Sequence, residues 1–249
     1  MSVEGLRIAT YEFLPQHASA DAPVVVALHG FASSAYGNWV ATGWTRDLTR
    51  AGFRVIAIDQ RGHGASDKPH DVSAYSMHAL VGDLVTVLDT YLLDEVRLVG
   101  YSLGARVGWH ACVDLPHRIE RAVLGGIPDG DPLTRFRVDA ARGFVRRGAQ
   151  VGDRLTEAYL DMASQLDNDL DALIDLVAGM RGGPQPDPRH PPQQPVLFAT
   201  GAEDSILPKS RALAAACPHG SFVELPRRNH FNAPISREFR EAGIEFLRG

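Results

Sequence analysis

The sequence predicts an α/β fold: a mostly parallel central sheet flanked by helices on both faces, with a small helical insertion. Three observations carry this. Short runs of Val, Ile and Leu alternate with stretches whose apolar residues recur every three or four positions, the order that builds parallel strands joined by crossover helices. One run, Val96 to Val99, passes directly into Gly100-Tyr101-Ser102-Leu103-Gly104 and then into a helical stretch. The alternation stops after residue 127 and resumes near residue 193, beyond a tract dense in proline and glycine.

Taken along the chain, Leu6 to Phe13 reads as an edge hairpin strand. The central strands are expected at Val24 to Leu28, Val55 to Ile58, Val96 to Val99, Ala122 to Leu124, Val196 to Ala199 and Phe222 to Leu225. Between them, helical periodicity covers Thr42 to Ala51, Ser76 to Leu93, Leu103 to Leu115, Pro208 to Ala216 and Pro234 to Leu247. The interrupted region has helical stretches at Thr134 to Arg147 and Thr156 to Met180, and it ends in Gly182-Gly183-Pro184 through Pro191-Pro192, where regular structure is forbidden. The expected organisation is a core of residues 1–127 and 193–249 with a helical cap at 128–192.

Composition fits one large globular domain: 249 residues, 45% hydrophobic and 22% charged. A net charge of −5 supplies no basic footprint for nucleic acid, and no apolar run approaches the length of a membrane span. Met1-Ser2-Val3-Glu4-Gly5 lacks the charged and apolar regions of a secretion signal, so a cytoplasmic location is expected, with a small molecule as partner. Cys112 and Cys217 are too few for a disulfide framework, and Cys112 falls among Val107, Trp109 and Val113 as a core residue. No H-E-x-x-H or Cys/His cluster appears, so neither metal nor cofactor is expected.

The G-x-S-x-G stretch makes Ser102 the candidate nucleophile, because glycines at 100 and 104 let a strand turn sharply into a helix and push one serine outward. A serine hydroxyl needs a base, and the base needs an orienting acid. Thr200-Gly201-Ala202-Glu203-Asp204 leaves one strand and Arg228-Asn229-His230-Phe231 precedes the last helix. The chain order Ser102, Asp204, His230 belongs to one fold and differs from the orders of chymotrypsin-like and subtilisin-like proteases. Asp129, also after an apolar run, is the rival acid, and Glu203 is expected to face solvent.

With these residues the chain resembles the α/β-hydrolase superfamily over nearly its whole length. His29-Gly30-Phe31 is similar to the family's H-G-x segment, and Asp59-Gln60-Arg61-Gly62-His63-Gly64-Ala65-Ser66 to its D-x-R-G-x-G-x-S turn. The resemblance implies an oxyanion hole from the backbone N–H groups of Phe31 and Leu103, and a cofactor-free serine hydrolase acting on an ester, thioester or lactone through an acyl-enzyme. Halide-removing and epoxide-opening relatives carry a carboxylate at the elbow, where this chain has Ser102. Perhydrolase relatives have tryptophan where Leu103 stands, and carbon–carbon bond-cleaving relatives have it where Phe231 stands. Two alternatives are a lyase similar to the menaquinone-biosynthesis synthase of the superfamily, which Arg106 after the elbow fits, and a slow-turnover receptor.

Other residues admit two readings. Arg135, Arg137, Arg142, Arg146 and Arg147 either clamp an anionic substrate or form a solvated helix face balanced by Asp131, Asp139 and Asp153; the second is expected. His29 and His63, in tight turns, are expected to satisfy loop backbone groups. Asn38, Trp39 and Trp44 either line the pocket or anchor the loop after the oxyanion segment.

Overall fold

The computed structural model describes residues 5–16, 22–127, 134–164 and 168–249. Seven strands form one sheet in the order β1-β3-β2-β4-β5-β6-β7. They are β1 (Thr10–Phe13), β2 (Val24–Leu28), β3 (Arg54–Ile58), β4 (Val96–Tyr101), β5 (Ile119–Gly125), β6 (Val196–Gly201) and β7 (Gly220–Leu225). Only β1 is antiparallel, to β3; the other pairs are parallel. The helices are α1 (Trp44–Arg50), α2 (Met77–Thr90), α3 (Leu103–Asp114), α4 (Val138–Arg147), α5 (Arg154–Ser164), α6 (Leu170–Met180), α7 (Leu207–Ala216) and α8 (Arg237–Arg248).

Successive strand residues point to opposite faces, and the core divides accordingly. Val26, Leu28, Ile56, Ile58, Leu98 and Phe198 pack on α2, α3 and α7 through Leu84, Trp109 and Leu213. Val25, Ala27, Val55, Ala57, Val99 and Ala199 pack on α1 and α8 through Trp44, Leu48, Phe239 and Leu247. A strand buried on both faces needs an unbroken apolar run, which is why these segments show no polar alternation. Cys112 and Cys217 are buried and free.

The differences from expectation have local causes. β1 begins at Thr10 rather than Leu6, because the Arg7 amide donates to Asp67 Oδ2 and the Ala9 amide to Ser66 Oγ instead of to a strand. The stretch expected at Thr156 to Met180 falls in two helices, the second starting at Leu170 after Asp169, whose side chain accepts the Ala172 amide. The last helix starts after Ser236, which caps the Phe239 amide, not at Pro234. One wide helical turn, Tyr36–Val40, was not expected. Trp39 and Trp44 are fully buried, edge to face at 5.6 Å, and Trp44 Nε1 donates to the Pro234 carbonyl. Both are therefore anchors rather than pocket walls.

No helix of the described residues is long and apolar enough to cross a membrane.

Candidate active site

The strand order reverses direction between β2 and β4, and open sheets of this kind leave a crevice at the carboxyl ends of the strands there. Ser102 stands on that edge, between the last residue of β4 and the first of α3, with φ 52° and ψ −111°. For a serine this left-handed backbone costs about 1–3 kcal/mol. The glycines make the turn possible: a Cβ on Gly100 would lie 2.7 Å from the Gly104 carbonyl carbon, and one on Gly104 would lie 2.7 Å from the His29 carbonyl oxygen.

The structure brings the three predicted side chains together. Ser102 Oγ is 2.9 Å from His230 Nε2, and His230 Nδ1 is 2.8 Å from Asp204 Oδ2. Residues 128 apart in sequence meet because each sits on a loop leaving a different strand. Gly201 lets the His230 loop lie against the end of β6, where a Cβ would be 3.1 Å from the Asn229 nitrogen. Tyr101 Oη donates to the His230 carbonyl at 2.5 Å, fixing the loop from below. Burial, with the Asp204 charge, pushes the Tyr101 phenol well up, so it stays a donor. Asp204 is buried, its Oδ1 accepting the Ile206 amide at 3.1 Å, while Glu203 faces solvent as expected. The rival acid Asp129 lies outside the described residues.

Beside Ser102 runs His29-Gly30-Phe31: a Cβ on Gly30 would lie 3.4 Å from the Ser102 Cβ. Leu103 opens α3, where an amide has no intrahelical acceptor. Neither its amide nor that of Phe31 has an acceptor among the described residues. The flanking amides are occupied, Gly30 N by Asn38 Oδ1 at 2.9 Å and Ala32 N by His63 Nε2 at 3.0 Å. The His29 and His63 rings hold loop backbone as expected, His29 Nε2 accepting the Gln60 amide at 3.1 Å. Asn38 is an anchor of this loop.

The Asp59 to Ser66 turn braces the same edge. Asp59 accepts the amides of Ala35 at 2.7 Å and Ala65 at 2.9 Å, and Ser66 Oγ donates to the Asp59 carbonyl at 2.5 Å. Arg61 is buried in a two-pronged pair with Asp83 at 2.6 and 2.8 Å. Sequence reasoning missed Asp83, which shows no motif; its only signal is a carboxylate on the apolar side of a helical stretch.

The five arginines do not converge on Ser102. Arg135, Arg137, Arg146 and Arg147 are exposed, and Arg142 pairs with Asp175 at 2.7 Å. Arg146 lies 3.6 Å from Asp171. The solvated-face reading therefore holds: Asp175 and Asp171 of α6 balance Arg142 and Arg146. Hydrogen bonds from Thr156, helped by the charges of Arg137 and Arg135, hold Asp153 below the usual carboxylate range, as the Asp153 reading expected; Asp131 lies outside the described residues. Arg106 is buried, and its guanidinium donates to Gln185 Oε1.

A narrow apolar cleft lies between Phe31 and the helices α5 and α6, walled by Tyr159, Ala163 and Leu173. A larger open groove between α1 and α8, lined by Arg46, Arg240 and Arg248, contains none of Ser102, Asp204 and His230. Among the described residues no group of three or more His, Cys, Asp or Glu side chains could hold a metal ion.

A family model described as alpha/beta hydrolase fold matches residues 23–151, just over half of the chain. Among curated relatives, an AB hydrolase superfamily protein of Bacillus subtilis is 34% identical over 108 residues, 43% of this chain and 37% of its own. Epoxide hydrolase B of Mycobacterium tuberculosis is 44% identical over 102 residues, 37% of this chain and 27% of its own. An epoxide hydrolase of Caballeronia sordidicola is 37% identical over 232 residues, 91% of this chain and 64% of its own. The chain thus spans about a third of the length of the first two and less than two thirds of the third. Among solved structures, the enol-lactonase of Burkholderia xenovorans LB400 superposes with a TM-score of 0.78 at 22% identity, covering 99% of this chain and 98% of its own. A hydrolase of Pseudomonas aeruginosa PA01 gives 0.76 at 23% identity, covering 100% and 97%. From the family match, together with the sheet order and the serine elbow, the chain belongs to the α/β-hydrolase fold family.

Proposed function

We propose that the protein is a serine hydrolase that cleaves a carboxylic ester, thioester or lactone of a small molecule through an acyl-enzyme. The observation that carries this is the continuous contact from Ser102 Oγ through His230 to Asp204, at 2.9 and 2.8 Å. In this reading His230 Nε2 takes the Ser102 proton as Oγ attacks the carbonyl carbon, and Asp204 holds the Nδ1–H tautomer and favours the transient imidazolium. The amides of Phe31 and Leu103, without another acceptor among the described residues, face the developing oxyanion in this reading. His230 returns the proton to the leaving oxygen or sulfur. A water, deprotonated by the same ring, then releases the acid from Ser102.

The serine separates this chain from the chemistry named for several of its relatives. Attack of a hydroxyl on an epoxide carbon leaves an ether, with no carbonyl for water to attack, so the enzyme would be alkylated once and stop. A carboxylate nucleophile leaves an ester, which water can reopen. Epoxide opening is therefore not the reaction proposed. The lyase alternative gains nothing from Arg106, whose guanidinium is bound to Gln185.

The segment 128–192 is read as the cap. Its described helices carry an apolar cluster of their own, Phe136, Val138, Leu160 and Ile174, against which Phe31 packs. The cleft beside Phe31 is apolar, but at about 10 Å³ it is too small as it stands to hold an acyl group, so it does not set the chain length.

Hydrolysis of p-nitrophenyl esters from acetate upward, by the wild type and Ser102→Ala, tests the reading. A Ser102-dependent rate with an optimum in chain length is expected. A well-folded wild type no faster than Ser102→Ala on every ester would overturn it.

A further inference from the structure

The loop that carries the Phe31 amide has an unusual division of labour. Counting along it, Gly30 N donates to Asn38 Oδ1 at 2.9 Å and Ala32 N to His63 Nε2 at 3.0 Å. Only the amide between them, Phe31 N, is without an acceptor among the described residues. Both acceptors are buried side chains from outside the loop, Asn38 from the wide turn after it and His63 from the turn after β3. Neither is a backbone partner that the fold supplies in any case.

The loop needs this restraint. Ala32 has φ 55°, a left-handed backbone that an alanine does not adopt unaided. The peptides on both sides of it are tied, the Ala32 amide to His63 and the Ala32 carbonyl to Asn168 Nδ2 at 3.0 Å. Gly30 lies against the nucleophile, its missing Cβ 3.4 Å from the Ser102 Cβ and 3.6 Å from Asn38 Oδ1. The peptide that carries the Phe31 N–H is itself held at its Gly30 carbonyl, by His29 Nδ1 at 2.7 Å and the Ser33 amide at 3.2 Å, and rotation of a flanking peptide would work against these bonds to turn the N–H away from the space beside Ser102 Oγ.

The chemistry of His63 suits the task. An imidazole nitrogen facing an N–H can only accept, so the proton sits on Nδ1, which donates to the Arg61 carbonyl at 3.1 Å. Burial, with the neighbouring His29 ring, pushes His63 down to about 3, and the ring stays neutral wherever the enzyme works. Asn38 Nδ2 is buried without a hydrogen-bond partner among the described residues, so its carboxamide is held by the acceptor end, at Gly30 N. The side chain keeps an unpaired donor in place to do this.

We infer that Asn38 and His63 are positioning residues for the reaction: by tying down the amides on either side, they aim the Phe31 N–H at the oxyanion. This rests on the serine-hydrolase reading above. They act in the transition state and not on the bound ester, because a ground-state carbonyl makes a weaker demand on the donor than the tetrahedral oxygen does.

The test compares wild type, Asn38→Ala, His63→Leu and His63→Gln on the best p-nitrophenyl ester, with rates referred to Ser102 titrated by a fluorophosphonate. In Asn38→Ala and His63→Leu, kcat is expected to fall about ten- to hundred-fold with KM within about two-fold. Affinity for phenylboronic acid, whose tetrahedral Ser102 adduct places an oxygen in the same position, falls with it. In His63→Gln, where a carboxamide oxygen replaces Nε2 as acceptor, most of kcat returns. If His63→Leu does not fold, Asn38→Ala carries the test, since truncating Asn38 also removes its unpaired donor. A merely structural role would lower the melting temperature and leave kcat per titrated serine unchanged, and that result overturns the inference. A wild type that neither hydrolyses the esters nor binds the boronic acid overturns the serine-hydrolase reading and this role with it. Turnover by the wild type, matched by all the variants, overturns this role alone.

Discussion

The turns at the carboxyl edge of the sheet and the helices α4–α6 packed against them are held by different physics. Around Ser102 the ties are buried and directional: Asn38, Asp59 and His63 accept loop amides, and Arg61 and Asp83 pair out of reach of solvent. In α4–α6 the ties are a small apolar cluster and ion pairs such as Arg146–Asp171, whose side chains are 62% and 32% exposed. Buried polar groups tolerate almost no substitution without an unpaired partner, whereas apolar contacts and exposed charges tolerate many. The first region can therefore hold a fixed geometry at Ser102, which the second is not built to do. Each of the following perturbations sharpens or breaks that contrast.

The largest effect is expected at Asp204→Asn. The amide would present an N–H to His230 Nδ1, now 2.8 Å from a carboxylate oxygen, and force the proton onto Nε2. That nitrogen could no longer accept from Ser102, and kcat should fall about 10⁴-fold with the fold intact. Asp204→Asn hydrolysing esters at the wild-type rate would return the acid role to Asp129.

Next comes Asp83→Leu. It removes the carboxylate that Arg61 grips at 2.6 and 2.8 Å in a site where the two side chains are 1% and 6% exposed. A loss of about 3–5 kcal/mol in urea unfolding is expected. A loss below 1 kcal/mol would mean that the edge is no stiffer than the helices, and the contrast would collapse.

How far these two regions were legible in the sequence follows the same line. The elbow, the H-G-F segment and the D-x-R-G-H-G-x-S turn could be read because each needs glycine at fixed offsets from a polar side chain, a demand that survives in any chain using that geometry. Asp204 and His230 were legible by order, each leaving an apolar run. Asp83 was not read at all, and Asn38 stood open between pocket wall and loop anchor, since one asparagine in a loop and one aspartate in a helix carry no pattern until the fold brings them to Gly30 and Arg61. Between Thr134 and Met180 the periodicity gave helices but not that α5 ends at Ser164 and α6 starts at Leu170, and composition could not say that α6 would balance Arg142 and Arg146. Ion-pair partners there are chosen by packing, which no local pattern encodes.

Stability against pH probes the buried side of the comparison. Burial pushes His29, His63 and His110 down, His63 to about 3. The unfolded chain takes up protons near the ordinary value of 6.5, which these folded rings refuse, so below about pH 6.5 the unfolded state binds more protons and stability falls. Each ring contributes a slope of at most about 1.4 kcal/mol per pH unit. His70 works in the opposite sense: Asp169 raises it, so its contribution is present below 6.5 and lost above, but the side chain is 55% exposed and the effect is screened. Depressed carboxylates such as Glu120, held down by the hydrogen bond from Arg97, matter only at lower pH. Urea midpoints should therefore drop from pH 7.5 to 5.5, and drop less in His63→Gln. A flat profile would mean that these rings are hydrated.

The smallest effect is expected at Arg146→Ala, and it decides how the second region meets substrate. The pair with Asp171 is 3.6 Å long and largely exposed, so stability should change by about 0–1 kcal/mol. If the arginines of α4 form only a solvated face, kcat/KM should stay the same for neutral and for carboxylate-bearing esters. A selective loss on the anionic ester would show that Arg146 reaches the substrate in the bound state, through a movement of α4 that the Arg142–Asp175 contact at 2.7 Å now restrains. The double variant Arg146→Ala, Asp175→Asn separates the cases. A solvated face leaves both esters insensitive to it, whereas a mobile clamp makes the neutral ester faster and the anionic one slower.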